Sequence, residues 1–228
     1  MDTFIRSLLG LLGIIKKTLK FDTSHNNEFK RSISVCAIVL THTIDSPLGD
    51  AIDAATDKGE PTDEDAAWSH SQIYVGKTWG KIIRSLVPSF LLNPKIPKEP
   101  VDNEILEAQG DGIKVSSLDL GNDKVQMVAY QRPLTFLETV RILTRAYLNV
   151  GKPYGYLDFI ANAFPDAGIP NVDPGFICSA YTSDAWLPVE RLANQGIELW
   201  KENPNQQNDY LKFALKFQKL MWNWGPKA

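Results

Sequence analysis

Between Glu104 and Gln131 the chain is cut into three strand-length pieces, around Glu104–Ala108, Gly112–Val115 and Lys124–Gln131, with Gly110, Gly112 and Gly121 as punctuation. A helix is predicted directly after them over Pro133–Asn149, with Leu137, Val140, Leu143, Tyr147 and Leu148 along one side. Two more strands are predicted earlier. One covers residues 33–41 and holds Cys36 as plain core, since a free cysteine behaves as a small hydrophobe. The other is Trp68–Gly76, where alternation puts His70, Gln72 and Tyr74 on one face and Ser71, Ile73 and Val75 on the other. The outline is α+β: a small, largely antiparallel sheet packed on helices.

The flanks read differently. Residues 1–20 form an amphipathic helix, with Asp2, Arg6, Gly10, Gly13, Lys17 and Lys20 opposite Phe4, Leu8, Leu11, Leu12, Ile15 and Leu19. Lys16 and Lys17 stand where a leader would need small residues for cleavage, so this is not read as a signal peptide. Residues 22–31 read as a polar linker, 50–56 as a short helix, and 57–65 as a solvated acidic loop without calcium spacing. Residues 77–103 read as a long connection broken by Pro88, Pro94, Pro97 and Pro100, with an apolar stretch at Ile82–Leu92. A second amphipathic helix is predicted over Asp209–Trp224. The resulting division is residues 1–31 as helix and linker, 32–195 as the main domain with 77–103 as an insert, and 196–228 as the C-terminal helix.

Composition removes several function classes. With 43% apolar and 22% charged residues, the 228-residue chain has material for a packed core. A net charge of −3, with no basic run interleaved with aromatics, argues against a nucleic-acid partner. Two cysteines make no disulfide framework, and no apolar run reaches membrane-span length. A cytoplasmic or virion-associated location is expected. Three histidines and no HExxH speak against a zinc hydrolase, and no GxSxG marks a serine elbow. Gly76-Lys77-Thr78 imitates the end of a phosphate loop, but Ser71 stands where its first glycine belongs.

One constellation remains. Cys178 opens a predicted helix straight after the Pro174-Gly175 loop, where the positive end of the helix dipole favours a thiolate. His70, on a strand edge in polar company, is the natural base for it. A third group must then hold the imidazole. His42, at the end of the first strand, and His25, in the polar linker, are read as a strand-end residue and a solvent-facing one.

Gly151-Lys152-Pro153-Tyr154 followed by Cys178-Ser179 resembles the nucleophile segment of the NlpC-type peptidase superfamily, and Ser69-His70-x-x-Ile73-Tyr74-Val75-Gly76 resembles its histidine strand. His precedes Cys here, and Glu107-Ala108-x-Gly110-x-Gly112-Ile113 lies between them. That order resembles the circularly permuted branch, with the YiiX-like amidases and lecithin–retinol acyltransferase relatives, over roughly residues 32–187. The resemblance implies a permuted papain-like domain with Cys178 as nucleophile, His70 as general base, Glu107 orienting the imidazole, and Tyr154 lining the site near the acyl oxygen. It implies no metal or cofactor. Two positions depart from the pattern: Ala180 stands where the family commonly has Glu, and Gln72 stands where it has a small residue. Gln72, on the face of His70, either crowds the pocket or donates a hydrogen bond in it, and is counted with Tyr154 as substrate-binding.

The expected activity is that of a cysteine-dependent amidase or peptidase working through a thioester, with peptidoglycan peptides as the class the resemblance implies. Two alternatives stay open. One is a lipid-directed acyltransferase or thioesterase on the same fold; the other is a non-catalytic protein of a large assembly such as a virion. Residues 1–20, 82–92 and 209–224 are the surfaces expected to meet a protein assembly or a membrane.

Overall fold

The sheet follows from where the apolar residues alternate. In the computed structural model, residues 26–43, 68–122, 124–156, 175, 177–189 and 218–222 are described, and the statements below concern them. Helix α1 (Asn26–Ser32) precedes strands β1 (Ile38–Thr43) and β2 (His70–Tyr74), and helix α2 (Gly76–Leu86) follows. Then come β3 (Glu104–Gln109), β4 (Gly112–Ser117), β5 (Val125–Gln131), α3 (Phe136–Leu148), α4 (Cys178–Trp186) and β6 (Gln218–Trp222). The strands form one six-stranded sheet in the order β4-β3-β2-β1-β5-β6, and every neighbouring pair is antiparallel. The fold is α+β.

Both faces of the sheet are covered. On one, Ile38, Leu40, Ile73, Val75, Leu106, Val128 and Tyr130 meet Ile142, Leu143 and Ala146 of α3 and Tyr181, Ala185 and Trp186 of α4. On the other, Val39, Tyr74, Ile105, Met127 and Ala129 meet Phe29 and Ile33. The alternation expected in β2 is therefore observed: Ile73 and Val75 face one layer, Tyr74 the other. Helix α3 begins where Thr135 caps it; its hydroxyl accepts from the Glu138 N–H while the Glu138 carboxylate takes the Thr135 N–H. Such a box is worth about 1 kcal/mol.

Four expectations need correction. Cys36 is core, at 0% exposure, but it does not lie in a strand. Its φ of 64° closes a turn in which the Ala37 N–H reaches the Ser34 carbonyl, and regular pairing starts only at Ile38. Residues 26–31, taken as linker, are helical within Asn26–Ser32, and Phe29 is fully buried. Residues 77–103 are not one long connection, because α2 occupies their first part. Helical spacing turns Gly80, Ile83 and Val87 inward, and Pro88 and the later prolines all lie beyond the helix end. The apolar stretch is accordingly divided, with Ile83 and Val87 buried and Leu86, Phe90 and Leu91 exposed. Finally, Gln218–Trp222 is a strand on the open edge of β5, not part of a helix, so this segment joins the same sheet as the other strands. The helices expected at 1–20 and 50–56, the loop at 57–65 and residues 209–217 lie outside the described residues.

No helix among the described residues is long and apolar enough to cross a membrane.

Candidate active site

Helix α4 is clamped to the sheet by a polar pair. Ser71 Oγ and Thr182 Oγ1 lie 2.9 Å apart in the buried interface, and Thr182 also donates to the Ser179 carbonyl at 3.0 Å. The Tyr181 hydroxyl donates to the Ala146 carbonyl at 3.1 Å, fixing α4 against α3. His70 is one residue before Ser71, and Cys178 is one helical turn before Thr182. The clamp thus brings the first residue of β2 and the first residue of α4 together, and Cys178 lies close enough to the His70 ring to act on its charge.

His70 Nε2 lies 2.9 Å from Glu107 Oε2. With Nε2 engaged there, Nδ1 is the ring nitrogen left free to exchange a proton. The geometry across the strands is diagonal: Glu107 is the direct partner of Gln72, two residues beyond His70 on the same face. The carboxylate is held from more than one side. Gln109 Nε2 donates to the same Oε2 at 2.8 Å, and Ser116 lies close enough to favour the carboxylate's charged form. The side chains of His70 and Glu107 are 22% and 6% exposed, so the pair is largely withdrawn from water, with the imidazole its more open end.

These contacts set the charges. Burial alone would lower the His70 pKa, but the neighbouring Cys178 and the hydrogen-bonded Glu107, with their charges, outweigh it, raising the imidazole to about 10. Burial works against the Glu107 charge, yet the hydrogen bond from His70 and the neighbouring Ser116, with the charges of His70 and Lys114, hold its carboxyl below the usual glutamate range. Burial, and then the neighbouring Cys178 and Tyr156, push the Tyr154 phenol up, so Tyr154 remains a neutral hydroxyl.

Two glycines explain how Tyr154 arrives. Gly112 has φ +108°, and a Cβ on it would stand 2.5 Å from the Lys152 carbonyl oxygen. Residues 151–152 can therefore lie along β4, through the Ile113 N–H to the Lys152 carbonyl and the Gly151 N–H to the Ile113 carbonyl. A Cβ on Gly175 would stand 2.6 Å from the Gly155 nitrogen, so the loop ahead of Cys178 can press backbone to backbone on residues 153–155. Tyr154 stacks edge-on with Tyr156 at 5.2 Å, and the Tyr156 hydroxyl donates to the Gly110 carbonyl.

The structure thus gathers Cys178, His70, Glu107 and Tyr154, and places Gln72, 3% exposed, on the same strand face as His70. His42 pairs with Gln126 and is next to Thr41, the direct partner of His70, so alternation puts it on the opposite face from His70. His25 lies outside the described residues, and Ala180 is half-buried on α4. Residue reasoning missed Gln109 and the Ser71–Thr182 clamp. Gln109 was reachable, because a polar residue two positions after Glu107 shares its strand face. Among the described residues, no group of three His, Cys, Asp or Glu side chains is arranged to hold a metal ion. No family model, curated protein or solved structure matches the chain.

Proposed function

We propose that this protein is a cysteine-dependent amidase or peptidase with a permuted papain-like site, and that it acts through a thioester. The observation that carries this reading is His70, whose ring is hydrogen-bonded to the Glu107 carboxylate and close enough to Cys178 for the two to influence each other's charge. In the proposed cycle the thiol proton passes to His70 and the sulfur attacks the amide carbonyl. The His70 imidazolium then protonates the departing amine as the carbon–nitrogen bond breaks. Neutral His70 next takes a proton from water, whose oxygen attacks the thioester; the acid leaves, and the sulfur recovers its proton. Glu107 holds the ring and favours its charged form throughout. The Tyr154 hydroxyl and the start of α4 are suited to the oxyanion. Ala180 has no polar group to contribute, and no step requires one.

Peptidoglycan stem peptides are the first substrates to try. A lipid-directed acyltransferase is the second reading, favoured by Phe90 at 84% exposure beside exposed Leu86 and Leu91. The test common to both is covalent trapping. Brief incubation with p-nitrophenyl acetate and peptide mass spectrometry should locate one acetyl group on Cys178, and none on Cys36, whose thiol is buried and pushed up by that burial. An adduct on Cys36, or none on Cys178, would remove the thiol mechanism.

A further inference from the structure

Gln72 is 3% exposed; its side-chain amide makes no hydrogen bond among the described residues, and its oxygen and nitrogen are not among the enclosed polar atoms left without a partner. Its strand neighbours do not account for an amide. Val39, opposite on β1, is apolar and fully buried. Glu107, opposite on β3, already accepts from His70 and Gln109 on one oxygen. An amide that keeps only water as its partner adds nothing to the packing, and a leucine or valine would pack against Val39 and Tyr74 more completely; a ligand that displaces that water must replace its hydrogen bonds. The residue is therefore poorly suited to a purely structural role, and it sits two positions from His70 on the same face.

We infer that Gln72 anchors substrate through an amide group flanking the scissile carbonyl, so that the site takes peptides or N-acylated amino acids in preference to fatty acyl groups. This inference rests on the thiol-hydrolase reading above. A carboxamide presents an N–H donor and a carbonyl acceptor side by side, the complement of a secondary amide in the substrate. A fatty acyl chain laid over Gln72 would exclude water from the amide and offer it nothing in return. A site that must satisfy a polar group discriminates against ligands lacking the matching group.

Three p-nitrophenyl esters share a leaving group and test this directly: N-acetyl-L-alaninate, acetate and laurate. Wild type is expected to show its highest kcat/KM on the N-acetyl-L-alaninate. Gln72→Leu should reduce the N-acetyl-L-alaninate/acetate ratio by about tenfold, the scale of one or two neutral hydrogen bonds, with Tm unchanged or raised. Gln72→Asn, which keeps the amide on a shorter arm, should lose less of the ratio. The inference is overturned by an unchanged ratio in Gln72→Leu, by a lowered Tm or failure to fold, which would mark Gln72 as structural, or by wild type preferring the laurate. If Cys178→Ala turns over the esters as fast as wild type, the thiol reading falls and takes this inference with it. Retained dependence on Cys178 with an unchanged ratio overturns the inference alone.

Discussion

Strand β3 carries two buried glutamates three residues apart, and they face opposite layers of the sheet. Glu104, at 0% exposure, takes both oxygens to the Arg84 guanidinium at 2.8 Å and also accepts from the Tyr147 hydroxyl and the Val101 N–H. Gly80 leaves room for this cluster, since a Cβ there would stand 2.7 Å from Glu104 Oε1. Glu107, at 4% exposure, meets His70 instead. The guanidinium cannot release its proton at any ordinary pH, whereas an imidazole can. One glutamate is thus neutralised permanently, in a joint between α2, α3 and the sheet. The other is matched by a group able to pass a proton on. Equal burial of a carboxylate says little about its role; the proton chemistry of its partner says more.

The contrast predicts that activity is concentrated at the Glu107 end and stability at the Glu104 end. Cys178→Ala should cut turnover more than about a thousandfold, as removal of a nucleophile does, while leaving the urea midpoint close to wild type. A large stability loss in that variant would break the division. Arg84→Leu should cost about 3–5 kcal/mol in urea unfolding, because it leaves the Glu104 carboxylate buried and uncompensated. Glu107→Gln should cost less stability than this but lower turnover about tenfold or more. Equal stability losses at the two sites would erase the distinction.

The smallest expected effect concerns pH. A raised His70 contributes stability that is complete below its ordinary value of 6.5 and is lost as pH rises towards about 10. A lowered Glu107 contributes stability that is present above its ordinary value of 4.5 and is lost as pH falls through its lower native value. The stability difference between wild type and His70→Asn should therefore be greatest between about pH 4.5 and 6.5 and shrink steadily towards pH 10. The difference between wild type and Arg84→Leu should not shrink over that upper range. Parallel pH profiles for the two variants would contradict the comparison.

Much of the site was legible because its signals are local. A Pro-Gly loop before an apolar-polar helix marked Cys178 as a helix start, and α4 begins there. Alternation in residues 68–76 assigned His70 and Gln72 to one face, as the register with β3 shows. Glu107 was identified only through its place in a resembling motif, since an isolated carboxylate carries no mark of what it will meet. The failures have physical causes too. Helix α2 was hidden by Gly76, Gly80 and the prolines that follow, although Gly80 is there to admit Glu104 and Arg84, which no local pattern reveals. Strand β6 was hidden because a short apolar-cationic segment fits both periods, and what decides between them is the open edge of β5, nearly ninety positions earlier in the chain. Cys36 was assigned to a strand because its neighbours are apolar; its left-handed backbone is invisible in that composition.

The Ser71–Thr182 hydrogen bond closes a loop of 111 residues. Contacts so remote in sequence carry a loop-closure cost and form late unless intervening structure shortens the search. During synthesis His70 and Glu107 leave the ribosome long before Cys178, and Thr182 later still. Cys178 and His70 therefore have no route to one another until the sheet and α3 provide a surface for α4. Exposed reactive thiols are a hazard to a growing chain and its neighbours. Here chain order itself defers the meeting of Cys178 and His70 until the sheet and α3 are in place.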